Sequence, residues 1–212
     1  MTIETAEGKQ VVLTFDGARC IHARRCVTGQ PAVFVANAKG PWLHPDAATP
    51  EELVRVAMNC PSGAIQVKRK DGGAEEPAPK ANIITVRENG PLAVHAELSI
   101  RGEKTGYRAT LCRCGASNNK PICDGSHTKA GFTATGEPAT KESTLAITDL
   151  VGPVDIAPTP NGPLRLKGAV EIGSGSGRTV QRVTKTFLCR CGHSSDKPFC
   201  DGSHAKVGFT AE

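Results

Sequence analysis

Long apolar runs are missing from this 212-residue sequence. Val11 to Phe15 and Val33 to Ala36 are soon interrupted by polar residues, far short of the roughly 18 consecutive apolar residues a membrane span needs, so no membrane partner is expected. Aromatic residues are scarce as well, with six Phe, Trp42 and Tyr107, whereas Gly and Pro number 23 and 15. That balance excludes one large hydrophobic core and favours small units, which metals or disulfides usually organise. The opening MTIETAEGKQ lacks a basic segment followed by an apolar one, and the cysteine count is an odd nine, which argues against a closed disulfide framework. A cytoplasmic protein is expected. Also missing are a nucleotide-binding glycine loop, a G-x-S-x-G elbow, and any carboxylate pair or nucleophile and base set, so the chain is not expected to be an enzyme.

What is present is repetition. Asn89-Gly-Pro-Leu opens a strand-like stretch ending at Ile100, and Asn161-Gly-Pro-Leu opens another ending at Ile172. Each leads to a cysteine cluster, starting at Leu111 and at Leu188, 77 positions apart, whereas the strand starts are 72 apart. The five extra residues of the second copy are placed at the Gly173-Ser-Gly-Ser-Gly177 turn, where insertion costs little. Strands are expected at Ile83 to Val86, Leu92 to Ile100, Tyr107 to Leu111, Leu164 to Ile172 and Val180 to Leu188. Lys68 to Asn82, charged at both ends and without apolar periodicity, reads as a linker. Before it, Val11 to Phe15 reads as a strand. Thr49-Pro50-Glu51-Glu52 reads as a capped helix start, running on to Cys60-Pro61 ahead of a strand around Ile65 to Val67.

Both copies present C-x-C-x8-C-x3-H: Cys112, Cys114, Cys123 and His127, then Cys189, Cys191, Cys200 and His204. Identical internal spacing in two copies excludes chance burial of thiols and points to metal. Three thiolates and an imidazole also form a tetrahedral zinc set, and ligand type alone leaves zinc open. The spacing weighs towards a diiron cluster, in which the C-x-C pair holds one iron and the C-x3-H pair, four residues apart on one helical face, holds the other. Asp124 and Asp201 fall where a side chain can accept the orphan N–H groups of that helical turn. Lys120 and Lys197 read as solvated side chains, with tuning of the site's potential from beyond its ligands as the alternative.

Both copies resemble the CDGSH iron–sulfur domain, matching C-x-C-x2-(S/T)-x3-P-x-C-D-G-(S/A/T)-H at every position, including Ser117, Pro121, Gly125 and Ser126, and Ser194, Pro198, Gly202 and Ser203. The resemblance spans residues 83 to 212. It implies a redox-active [2Fe-2S] cluster in each copy, and pairing of two such units about a two-fold axis, which a tandem chain could form within itself. Membrane anchoring, known for some members, does not carry over.

Cys20, Cys26 and Cys60 remain. Cys20-Ile-His-Ala-Arg-Arg-Cys26 has the first and third positions of a C-x2-C-x2-C loop, with Ala23 in the middle, and Cys60-Pro61 matches a remote C-P element. Three thiolates fit a [3Fe-4S] cluster directly; a [4Fe-4S] cluster needs water, or a histidine such as His22, at its fourth iron. Residues 10 to 68 look like a divergent single-cluster ferredoxin domain, sharing C-x5-C, Pro31 to Phe34 and Cys60 to Ile65. The plain alternative is a small α/β domain with structural cysteines. His44 reads as a loop residue.

The fold class expected is therefore α+β. A small ferredoxin-like domain (1–68) and a linker (69–82) precede two β-rich CDGSH units (83–136 and 137–212) forming an intramolecular pseudo-dimer, with a monomer expected. The formal charge of +5 counts every thiol as neutral; two [2Fe-2S] clusters and one [3Fe-4S] cluster would bring it to roughly +1, so no nucleic-acid partner is expected, though a basic face for acidic partners stays open. One-electron transfer between redox partner proteins is the expected function. The alternatives are cluster storage or transfer to apo-iron–sulfur acceptors, and a colourless zinc-stapled interaction module.

Overall fold

The computed structural model describes residues 3–211, which fall into two compact units meeting at Pro77 and Ala78. In the first unit, β1 (Ile3–Glu7), β2 (Val11–Asp16) and β3 (Ile65–Arg69) form an antiparallel sheet with β2 in the middle. Helix α1 (Arg25–Gly29) follows β2, and α2 (Pro50–Asn59) precedes β3. The expected start of α2 is built by a capping box: Glu52 N donates to Thr49 Oγ1 at 3.3 Å and Thr49 N donates to Glu52 Oε2 at 2.9 Å. Both contacts satisfy N–H groups that the first helical turn leaves without partners. Leu53, Val56 and Ala57 of α2 pack on Leu13 and Ile65 of the sheet, with Val33, Phe34 and Leu43 closing the core. Trp42 meets Phe15 edge to face at 4.8 Å. Strand β1 was not expected, because Ile3 is 65% exposed and the strand is held through backbone pairing with β2 rather than by a buried face.

The second unit contains both repeats. The first contributes β4 (Ile83–Val86), β5 (Leu92–Ile100) and β6 (Glu103–Leu111), and the second β7 (Pro153–Pro158), β8 (Leu164–Gly173) and β9 (Thr179–Leu188). Along β5 the residues Leu92, Val94, Ala96, Leu98 and Ile100 are all buried, the period of two that a strand with one buried face requires. Each repeat lends its first strand to the other. Strand β4 pairs antiparallel with β5 and parallel with β8, with Ile84 opposite Ile172. Strand β7 pairs antiparallel with β8 and parallel with β5, with Ile156 opposite Ile100. The four strands thus close a circuit, with β6 on the outer side of β5 and β9 on that of β8. One hydrophobic core draws on both repeats.

Strand β7 had not been expected; it begins and ends on proline, which resembles a turn in sequence and here marks the strand's limits. The turn expected to hold the five added residues takes up three of them, and the other two lengthen β8 and β9 by one residue each relative to β5 and β6. Strands β5 and β6 are joined by Arg101-Gly102, while β8 and β9 are joined by Ser174 to Arg178. Asn82, at the end of the expected linker, is 1% exposed and stitches the repeats together. Its side chain donates to Gly152 O (2.9 Å) and Ala169 O (3.0 Å) and accepts from Glu97 N (3.2 Å). The architecture is α+β, with few and short helices. Among the described residues no helix is long and apolar enough to cross a membrane.

Candidate metal centres

The two C-terminal sites are built at the ends of β6 and β9. Cys112 follows Leu111 directly, and the chain returns through Cys123 to pair beside it: Cys112 N donates to Pro121 O (2.8 Å) and Cys123 N to Thr110 O (2.8 Å). Cys189 and Cys200 repeat this with Pro198 O (2.7 Å) and Phe187 O (2.9 Å). The histidines stand on single-turn helices, α3 (Ser126–Lys129) and α4 (Ser203–Lys206).

Within each site the four side chains form two pairs. Cys112 and Cys114 Sγ lie 3.7 Å apart, and Cys189 and Cys191 Sγ 3.8 Å apart. Cys123 Sγ lies 3.4 Å from His127 Nδ1, and Cys200 Sγ 3.3 Å from His204 Nδ1. A tetrahedral ion with metal–sulfur bonds of about 2.3 Å sets two of its sulfurs about 3.8 Å apart, and a sulfur and an imidazole nitrogen about 3.5 Å apart. Each pair therefore has the spacing of two ligands on one ion. Among the described residues no group of three or more His, Cys, Asp or Glu side chains is drawn together around a single ion. Each pair can supply two ligands to one metal, and the soft donor set suits iron–sulfur binding.

The electrostatics of the sites point the same way. The hydrogen bond with Cys114 lowers the Cys112 thiol to about 6 and holds Cys114 far above the usual thiol range, so the pair resists a second ionisation. Burial pushes Cys123 up to about 11 and raises Cys191 and Cys200. Four ionised or lone-pair donors are sustained in such places by bound cations. Burial also lowers the His127 pKa against the opposing field of Asp124, favouring the neutral imidazole that a metal requires.

Other motif residues set the loops. Asp124 accepts from Asn118 N (2.9 Å) and Ser126 N (3.0 Å), and Asp201 from Ser195 N (2.8 Å) and Ser203 N (3.0 Å), joining each cysteine loop to its helical turn. The bonds from Ser195 and Ser203 hold the Asp201 carboxyl well below the usual range. Ser117 Oγ donates to Ile122 O at 2.6 Å, and Ser194 Oγ to Phe199 O at 2.7 Å. Lys120 and Lys197, expected as solvated, fold back instead: each Nζ donates at 2.5 Å to the carbonyl of Ser117 or Ser194. Backbone N–H groups also point at sulfur, from Ala116 to Cys114 and from His193 to Cys191, both at 3.4 Å.

The sequence reading missed the arginines inside the two C-x-C pairs. Arg113 and Arg190 are each 1% exposed, among the largest fully buried side chains. Their recurrence at one position of both copies was the available signal, and a charged residue between two cysteines gave no hint of burial.

In the first unit, Cys20, Cys26 and Cys60 line one pocket together with Ala23, Arg24 and Arg25. Burial raises the thiols of Cys20 and Cys26, and Cys60 adds to both effects. His22 is exposed and does not line this pocket; its backbone N–H points at Cys20 Sγ (3.4 Å). Ala23, without a ligand atom, stands in the position its spacing implied. The three cysteines thus line one pocket as soft donors of the kind an iron–sulfur cluster takes. His44 is an exposed loop residue.

Comparison with known proteins adds to this geometry. A family model described as iron-binding zinc finger, CDGSH type, matches residues 89–128 and 161–205. A second, described as divergent 4Fe-4S mono-cluster, matches residues 6–70. The uncharacterized protein YjdI of Escherichia coli strain K12 and that of strain O157:H7 are each 35% identical over 63 residues, which is 30% of this chain and 82% of theirs.

Proposed function

Because the chain belongs to the CDGSH-type iron-binding family and opens with a divergent 4Fe-4S mono-cluster domain, we propose that it is a non-enzymatic one-electron carrier serving redox partner proteins. Cys112, Cys114, Cys123 and His127 hold one [2Fe-2S] cluster, and Cys189, Cys191, Cys200 and His204 a second. Cys20, Cys26 and Cys60 hold a [3Fe-4S] cluster, with [4Fe-4S] as the alternative. The observation that carries this reading is the pairwise spacing of the ligands, duplicated in both repeats. One zinc ion would draw three or four of them together. When bound, each cluster supplies reversible one-electron chemistry, and replacing one thiolate by neutral imidazole makes the C-terminal sites easier to reduce than all-cysteine ones.

The protein's contribution is positional. The Asp124 and Asp201 carboxylates and the Ser117 and Ser194 hydroxyls fix the ligand loops, so little reorganisation accompanies a change of charge. N–H groups aimed at Cys114 and Cys191 favour the more negative, reduced state. Reciprocal exchange of β4 and β7 supports reading the two repeats as an intramolecular pseudo-dimer, and hence a monomeric carrier. In this reading all nine cysteines are cluster ligands and none is left for a disulfide, in keeping with a protein of the reducing cytoplasm.

Cluster delivery to apo-acceptors is a second reading, favoured by the openness of the second site: Cys200 is half-buried and Asp201 and Gly202 are exposed, so its histidine side is accessible to exchange. Anaerobic purification followed by visible absorption and EPR, before and after dithionite, tests both the cofactors and the redox role. Iron, sulfide and zinc are counted on the same sample. Seven or eight irons per chain with reducible spectra are expected; a colourless protein with about three zincs would leave a structural module. Transfer to an apo-ferredoxin without net electron flow would favour delivery.

A further inference from the structure

The segment that joins the two repeats runs along the outer side of β9 and is fastened there repeatedly. Gly136 O accepts from Gly175 N (2.8 Å) and Pro138 O from Arg178 Nη2 (2.6 Å), while Lys141 N donates to Val180 O (2.8 Å) and Thr144 N to Arg182 O (3.0 Å). Between the last two, Glu142 O accepts from Gln181 Nε2 and Ser143 Oγ from Arg182 N, both at 3.0 Å. These bonds cover the edge that β9 would otherwise leave to solvent. They also fix the origin of one side chain. Lys141 reaches across to the second site, where its Nζ lies 2.5 Å from Asp196 Oδ2 and 4.2 Å from the centre of the Phe199 ring.

Asp196 and Phe199 belong to the loop that runs from the Cys189 and Cys191 pair to Cys200. Within it Phe199 N donates to Asp196 O (2.9 Å), Phe199 O accepts from Ser194 Oγ (2.7 Å), and Cys200 N returns to Phe187 O (2.9 Å). Lys141 is therefore a strut from the edge of β9 to the residue directly before a ligand. Its ion pair alone counts for little, because the two side chains are 35% and 48% exposed, but the ammonium also covers a ring that is only 6% exposed. Both partners sit on one short loop. In the first repeat, 77 positions earlier, Asn119 and Ile122 stand in their places and offer neither carboxylate nor ring.

On the cluster reading above, on which this rests, we propose that Lys141 is a positioning residue for the second metal site, and that residues 136–144 form a latch holding its cysteine loop closed. Two sites with the same ligands then retain their clusters by different means. The second site is the more open at Cys200, Asp201 and Gly202, so a hold on its loop governs release there.

The test follows cluster loss from the full chain in mild acid by visible absorbance and EPR. A His127→Cys background slows the first site, so that the faster phase reports the second, and His204→Cys reverses the assignment. Lys141→Met keeps the apolar stem and removes the charge; it is expected to speed loss from the second site about five-fold and to leave the first within about 1.5-fold. Lys141→Arg, which keeps both contacts possible, is expected to stay within about two-fold of the parent. Asp196→Asn installs the first repeat's residue and is expected to speed the second site about two-fold, adding nothing to Lys141→Met. Equal acceleration at both sites, no acceleration, additive effects of the two changes, or Lys141→Arg as fast as Lys141→Met each overturns the proposal. Absence of iron and sulfide from the unsubstituted protein would instead overturn the cluster reading. The latch is then judged by amide hydrogen exchange of residues 194–200: faster exchange in Lys141→Met supports it, and exchange equal to the parent refutes it.

Discussion

Gly102 and Gly115 form a natural experiment, because their backbones are nearly the same and their surroundings are not. Their φ angles are +81° and +82°, yet a β-carbon at Gly102 meets nothing within 4 Å, whereas one at Gly115 comes within 2.5 Å of Cys191 O and 3.0 Å of Cys191 C. Gly102→Ala therefore carries only the left-handed backbone term, about 1–2 kcal/mol. Gly115→Ala carries the same term plus the overlap with the facing loop, for which overpacking of a rigid contact costs about 1–3 kcal/mol more. The obstacle is backbone, so no side-chain rotation relieves it. Denaturant unfolding of the cluster-loaded protein, under anaerobic conditions and at matched iron content, measures both. Gly115→Ala should lose about 2–5 kcal/mol and shed iron from the second site faster than from the first, because the strain falls on Cys191. Losses within about 0.5 kcal/mol of each other would show that the two C-x-C loops are not in tight contact.

Asn82→Ala removes three hydrogen bonds, two to half-buried carbonyls, from a buried side chain at the seam of the repeats; at about 0.5–1.5 kcal/mol each it should destabilise the second unit, read as a fall in Tm. Thr49→Ala removes the cap of α2 and should cost about 1 kcal/mol, in the melting of the first unit alone. Asp201 has its carboxyl pKa lowered in the folded protein, so its contribution is complete above the unfolded value of about 4 and disappears as pH falls through the folded value; iron loss from the second site should be faster in Asp201→Ala than in the parent at pH 6, with the two rates converging in strong acid. Protonation of imidazole competes with iron, so cluster absorbance should fade as pH drops, and His127→Cys or His204→Cys should slow the fading of its own site; equal decay rates would refute that role for the histidines.

Much of the site chemistry could be read from the residue order. Cys112 and Cys114, or Cys123 and His127, lie within a few residues of each other, and a two-residue step or a helical turn brings such neighbours together whatever the rest of the chain does. Thr49 and Glu52 were legible for the same reason, as was the five-residue insertion, visible as a difference between two spacings. The edge strand β1 was not legible, because it buries almost nothing and leaves no apolar period. Strand β7 was hidden by its terminal prolines, and the fold-back of Lys120 and Lys197 by the general tendency of lysine towards solvent.

The sequence alone thus determined the donor sets, their duplication and the kind of strand that carries them, because each is a matter of chemistry or local geometry within a few residues. Only the tertiary structure decided that β4 crosses to β8 and β7 to β5, that Gly115 lies on Cys191 and Gly192 on Cys114, and that Arg113 and Arg190 are buried. The strand and loop contacts join segments more than about fifty positions apart, as in Ile100 opposite Ile156 and Ile84 opposite Ile172. They arise because neither repeat closes its sheet alone: each three-stranded set gains a further backbone partner, and a shared core, only from the other.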